Sequence, residues 1–218
     1  MTLAPFASGR LGRPLESTPA SRATPAQAAH ESASGTFGSD RLVRIALVTI
    51  ILGAAALRMF AVGLGHPFLS FQPDEDANGL RALRLAHGAL NPQYFYYPPL
   101  LWYLLAGVYR LVFWCGRALG LLSTWDDFRR FYDGYPTLLY LGRLLSVGFG
   151  TATVACLYLL GRRAFSPTHG ILAAGFLAAA FLHVRDSALS TTEAPLTFFI
   201  VLTLPGAVRV HQDGRIRE

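Results

Sequence analysis

Residues 44–65 read RIALVTIILGAAALRMFAVGLG, and beyond the arginine that opens the run the only charge in it is Arg58. Roughly 20 such residues, at 1.5 Å each along a helix, cross the hydrocarbon core of a bilayer. In lipid every backbone N–H and C=O has to be satisfied internally, so a run of this kind must be helical. Further apolar stretches at 98–122, 138–160, 170–182 and 195–208 repeat the pattern. With 52% hydrophobic and only 15% charged residues among 218, the chain lies well below the about 25% charge of soluble domains. The fold class this predicts is all-α, a polytopic integral membrane helix bundle with a disordered N-terminal tail.

The tail is residues 1–40, rich in Ala, Ser, Thr, Pro and Gly and poor in the large apolar side chains that offset the entropy of ordering. Residues 41–218 form the membrane module. Arg10, Arg13, Arg22, Arg41 and Arg44 precede the first span. No charged n-region with a nearby cleavage site comes before it, so it reads as a signal anchor with a cytoplasmic N-terminus. Residues 66–97 then lie outside. Arg162 with Arg163, and the basic end RVHQDGRIRE, both favour the cytoplasm.

If every apolar run crossed, Arg162 and Arg163 would emerge on the wrong side. The sequence therefore predicts that 98–122 does not cross but is re-entrant or lies against the bundle. Arg110 and Arg117 fall inside that run, each costing at least about 2.5 kcal/mol at a helix centre in lipid. The polar, aromatic WDDFRRFYDGYP that follows suits an interfacial segment. With 98–122 outside, HVRDSALSTTEAP at 183–195 shares a face with PDED.

All 19 basic positions are arginines set beside or between apolar runs, a pattern of membrane topology and not of nucleic-acid binding. Cys115 and Cys156 sit in apolar stretches without metal-ligand spacing. There is no nucleotide-binding glycine loop and no internal repeat of the secondary-transporter kind.

Chemistry concentrates in FQPDEDANGL, residues 71–80, where Asp74, Glu75 and Asp76 are adjacent at the edge of a span. A carboxylate there can take a proton from an acceptor hydroxyl, with its neighbours tuning it or holding a hard divalent cation. A solvated loop with one helix-capping aspartate explains the same residues equally well. The aromatic NPQYFYYPPLLWY, with Tyr94, Phe95, Tyr96, Tyr97, Trp102 and Tyr103, reads as an interfacial belt with proline in a first helical turn, ahead of the alternative that one or two tyrosines line a sugar or polyprenyl groove. Arg58 and Arg143 fall near the outer ends of their helices, where a guanidinium can hold a phosphate through paired hydrogen bonds. Snorkelling to headgroups is the competing account. His183, Arg185, Asp186 and Glu193 form a second polar motif, with Thr191 or Thr192 available to cap the next helix and Glu193 at the positive end of its dipole.

In order along the chain, FQPDEDANGLRAL, NPQYFYYPPLLWYLLA, LGRLLSVGFGTATVACLYLLGRRAF and HVRDSALSTTEAPLTFF resemble the N-terminal part of the GT-C membrane glycosyltransferases. The resemblance is to the family 39 and dolichyl-phosphate-mannose protein mannosyltransferase-like group, to which the lipid A aminoarabinose transferases are related. It implies transfer of a sugar, with inversion, from a polyprenyl-phosphate donor to a hydroxyl of a protein, lipid or glycan on the outer face of a bacterial plasma membrane. It also implies Asp74 as general base, with Glu75 beside it. The family's second acidic motif usually reads TTD, a small residue and Pro, whereas this chain has Glu193 there, one methylene longer. No cofactor is required by this chemistry, and a divalent metal would draw on Asp74, Asp76 and Glu193. The group also implies more spans, so the expectation is an N-terminal fragment, or a short member whose cavity a partner chain completes. A transporter or channel subunit, and a noncatalytic membrane scaffold, are the readings from other classes.

Overall fold

The computed structural model describes residues 25–63, 73–134 and 137–214. Its elements are helices alone: α1 (Pro25–Val62), α2 (Pro73–His87), α3 (Leu100–Ala118), α4 (Trp125–Gly134), α5 (Thr137–Ala164), α6 (Pro167–Ala179), α7 (Phe181–Ser187) and α8 (Glu193–Asp213). The chain divides after Asp40 into two units, Met1–Asp40 and Arg41–Glu218. Of the expected tail, residues 1–24 lie outside the described residues, as does the part of the first loop at 64–72, and from Pro25 the backbone is helical.

Three stretches are long and apolar enough to cross a membrane: Asp40–Val62, Leu138–Ala164 and Glu193–His211. Pro167–Ala179 and Phe181–Ser187 qualify together as a broken span or a re-entrant loop, bent by 64°. Among the described residues no helix between α1 and α5 qualifies, which removes the parity conflict at Arg162 and Arg163.

Helix α3 has two unlike faces. Leu101, Leu105, Tyr109 and Phe113 recur every fourth position with Trp102 and Ala106 beside them, and all are buried. That face packs on Ala82, Leu85 and Ala86 of α2 and on Phe128 of α4. Arg110 Nε donates to the Ala86 carbonyl at 2.9 Å, satisfying a last-turn acceptor of α2. Arg117 lies 5.7 Å from the Trp114 ring. Helix α4 starts at a reciprocal cap: Asp127 N–H donates to Thr124 Oγ1 at 3.2 Å, and Asp127 Oδ2 accepts from Thr124 N at 2.9 Å. Those bonds from the Thr124 hydroxyl and backbone hold the Asp127 carboxyl below its usual range.

The spans pack through small residues. Ala54 of α1, Val154 and Tyr158 of α5, and Ala174 of α6 form one buried cluster. Ser166 caps α6, accepting from the His169 N–H at 3.4 Å, with Pro167 in the first turn. A Cβ on Gly170 would lie 2.6 Å from the Tyr158 carbonyl oxygen, and one on Gly161 would lie 2.8 Å from the Gly170 Cα. The α5–α6 hairpin thus meets backbone to backbone, the usual way for helices to associate in lipid.

Backbone atoms cannot step aside as a side-chain tip can, so Gly170→Ala is expected to cost about 1–3 kcal/mol, as overpacking does. Gly107→Ala on α3 meets open space and should be neutral or slightly stabilising. Thermal midpoints of the two variants in detergent, by scanning fluorimetry, read the contrast.

Candidate functional site

Pro73 opens α2, and Asp74, Glu75 and Asp76 fill its first turn, where proline fits and negative charge meets the positive end of the helix dipole. Successive residues on a helix point about 100° apart, so three adjacent carboxylates must diverge. Glu75 turns inward and is fully buried. Arg143 of α5 grips it with two parallel bonds, Nε to Oε1 at 3.0 Å and Nη2 to Oε2 at 2.8 Å. Arg143 Nη1 donates to the carbonyl of Val62, the last residue of α1, at 2.8 Å. Ser190 N, in the turn between α7 and α8, donates to Glu75 Oε1 at 2.7 Å.

One helical turn further along α2, Asn78 Nδ2 donates to the Ser190 carbonyl at 3.1 Å. Its Oδ1 accepts from Trp102 Nε1 at 2.8 Å. Ser190 fits because the α5 backbone is bare at Gly142, where a Cβ would collide with the Ser190 hydroxyl. Glu75 and Asn78 together therefore join the end of α1 and the starts of α2, α3 and α5 to the turn before α8.

Asp74, one residue before Glu75, is exposed. Its charge is the main cause that holds the Tyr97 phenol above its usual range, followed by partial burial, Tyr96, Tyr94 and Glu193. An apolar slit of about 170 Å³ runs between the starts of α3 and α8, lined by Pro98, Leu100, Leu101, Thr192, Pro195, Leu196 and Phe199. On the other side of Glu193, a cavity of about 250 Å³ is bordered by His183, Asp186, Ser187 and Thr197. A roomier cavity of about 560 Å³, between α2 and α4 at Arg84, His87 and Trp125, lies at the far end of α2 from Asp74.

Other expected residues take different places. Arg143 and Arg58, expected to hold phosphate, are 3% and 0% exposed and bonded to protein acceptors. Arg58 Nη1 donates to the Ala54 carbonyl at 2.9 Å, and its Nη2 lies 2.7 Å from His183 Nδ1. Asp186 pairs with its neighbour Arg185 at 2.8 Å. Thr192 is the N-cap of α8 but makes no side-chain cap bond, and Thr191 is buried, so Glu193 alone offers charge to that helix start. Among the described residues no group of three or more His, Cys, Asp or Glu side chains could hold a metal, Asp74, Asp76 and Glu193 included. Asn78 and Ser190 are not singled out by the sequence, whereas Tyr97 and Trp102 belong to the aromatic segment read there as an interfacial belt. The spacing of three between Glu75 and Asn78 was the available signal for the first.

Residues 140–218 match the family model of dolichyl-phosphate-mannose-protein mannosyltransferases. This mannosyltransferase match takes in α6, α7, α8 and most of α5, and with them Arg143, His183, Asp186, Ser190 and Glu193. The match does not reach α2 with Asp74 and Glu75. No curated protein and no solved structure matches the chain.

A buried ion pair is costly to break from one side. Arg143→Met strands the Glu75 carboxylate and is expected to cost about 3–5 kcal/mol. Adding Glu75→Gln should recover part of that loss, while Asp74→Asn, at an exposed position, should leave the thermal midpoint unchanged. Melting the four proteins side by side in detergent tests the order.

Proposed function

We propose that this protein is a glycosyltransferase of the membrane, passing a sugar from a polyprenyl-phosphate donor to a hydroxyl acceptor with inversion at the anomeric carbon. Asp74 takes the acceptor proton, the acceptor oxygen forms the new bond to the anomeric carbon, and the bond to phosphate breaks with its electron pair going to polyprenyl phosphate. A lipid phosphate leaves readily, so positioning and one base suffice. The observation that carries the reading is the divergence within α2: Asp74 is exposed while Glu75, one residue on, is anchored to Arg143. Joined to the mannosyltransferase match over 140–218, that divergence supports Asp74 as the base and Glu75 as the residue that aims it.

Tyr97 and Glu193 flank Asp74 as further polar contacts for sugar or acceptor. The slit at Pro98, Thr192 and Phe199 is of the right chemistry for the first isoprene units of the donor. Arg58 and Arg143 are not assigned to the phosphate, since both are occupied within the protein. Much of the three spans faces away from the described chain, with Leu52, Phe60 and Ile200 exposed among others. Lipid, or the helices of a partner chain, covers those faces.

The topology follows: α1 leaves the cytoplasm, α2 to α4 lie on the extracytoplasmic side, and α5, the α6–α7 pair and α8 then cross in turn. A cysteine at Ser123 in a cysteine-free background should react with an impermeant maleimide in intact cells, and one at Ser166 only after lysis. For the chemistry, radiolabelled transfer from a polyprenyl-phosphate sugar should fall about 10²–10⁴-fold in Asp74→Asn membranes carrying equal amounts of protein, the range for loss of a general base. Equal transfer by both would remove Asp74 from the mechanism. No transfer by either would point to a noncatalytic scaffold.

A further inference from the structure

The broken span α6–α7 bends by 64° at Ala180, whose φ of −62° and ψ of 111° are extended and not helical. A break of this kind frees carbonyls at the end of the first half, and in an apolar surrounding each unmet one costs several kcal/mol. Here Ala180 N–H returns to the Leu177 carbonyl at 3.3 Å, a tight last turn. Two carbonyls of that last turn, Leu177 again and Ala178, are also reached from another helix. Arg58 of α1 donates from Nη1 to the Ala178 carbonyl at 3.4 Å and from Nη2 to the Leu177 carbonyl at 3.5 Å.

The same guanidinium crosses the break. Its Nη2 lies 2.7 Å from His183 Nδ1 on α7. A guanidinium has no acceptor, so Nδ1 must be the acceptor and His183 is the neutral tautomer protonated on Nε2. Arg58 is completely buried, and its Nε would lie 3.1 Å from a Cβ on Gly150. It therefore threads between the bare α5 backbone and the bend. The negative end of the α6 dipole and the converging carbonyls suit a buried cation there. No surface of Arg58 is left for a substrate.

We propose that Arg58 is a positioning residue: it replaces the backbone hydrogen bonds missing at the α6–α7 break and, through His183, sets the angle at which α7 presents Asp186 and the turn leading to Glu193. The angle matters because Ser190, three residues after Ser187, is the point at which Glu75 and Asn78 hold that turn. Arg58 and Arg143 thus fix the two ends of one segment. The consequence for transfer rests on the function proposed above, whereas the strap itself does not.

The test uses the full chain in nanodiscs with Cys115→Ser and Cys156→Ala, and spin labels at Leu80→Cys on α2 and Leu182→Cys on α7, both exposed positions. A second pair, Leu80→Cys and Leu111→Cys, reports the α2–α3 layer away from the bend. Arg58→Leu should broaden and shift the Leu80–Leu182 distance distribution and leave the Leu80–Leu111 distribution alone, with Arg58→Lys restoring part of the narrow distribution. Should Arg58→Leu fail to insert, His183→Ala is read on the same pair and should broaden it to a smaller degree. An unchanged Leu80–Leu182 distribution in whichever variant is read overturns the proposal. Where wild-type membranes transfer sugar, Arg58→Leu should lower kcat by about 10²-fold, as misplacement by about 1 Å can, with KM for the donor unchanged. A raised donor KM with unchanged kcat would instead make Arg58 a donor contact and overturn the strap. Absence of transfer in wild type counts against the enzyme reading only, since the distance measurement does not depend on it.

Discussion

Glu75 and Arg143 face each other with 0% and 3% of their side chains exposed. Taking a carboxylate and a guanidinium out of water costs several kcal/mol per ion, and neither can be left without the other. Every contact that offsets this cost comes from a different part of the chain. Arg143 belongs to α5, Glu75 to α2, the carbonyl to the last residue of α1, and the N–H to the turn before α8. The pair therefore does more than hold two helices together. It requires four chain segments distant in sequence to end at one point, and Asn78 with Trp102 repeats the arrangement one turn further along α2.

That junction gives three adjacent carboxylates different work. The inward pull on Glu75 sets the rotation of α2 about its own axis, and the 100° step between neighbours then leaves Asp74 at the surface. The junction also holds the start of α3 through Trp102 and the turn before Glu193 through Ser190. The carboxylate of Asp74 is thereby kept exposed at the start of a helix, while an apolar slit lies between the starts of α3 and α8 and a second cavity borders Glu193. Loops alone would place it less well, because a flexible segment spreads its side chains over many geometries.

Much of the architecture was legible in the residues because membrane insertion is governed by local properties. A run such as 44–65 must be helical whatever surrounds it, and Arg162 with Arg163 constrains which run can be a span. The same arithmetic put 98–122 outside the set of spans, and α3 is not among the helices that qualify. The candidate site was legible only in outline. Asp74 and Glu75 stood out as a pair, but nothing in PDED says which of them faces the solvent. Arg58 and Arg143 were read as hands for a phosphate because a guanidinium in an apolar run needs some partner, and the sequence names no partner. Both found theirs inside the protein: Arg143 in a side chain and a carbonyl 68 and 81 residues away, and Arg58 in a carbonyl four residues away and in partners 119 to 125 residues away.

The sequence by itself determined that this chain is helical, that several of its helices are of membrane-spanning length, and that acidic motifs fall between them. Each of these follows from hydropathy and charge counted over neighbouring residues. The tertiary structure decided which carboxylate is buried, which arginine meets it, and that a broken span is bridged from another helix. Those outcomes depend on how each helix is rotated about its axis and on which backbone groups lack an intrahelical partner, and both are set only when the segments pack. Adjacent residues such as Asp74 and Glu75 differ little as letters, and a rotation of 100° separates a buried anchor from an exposed carboxylate.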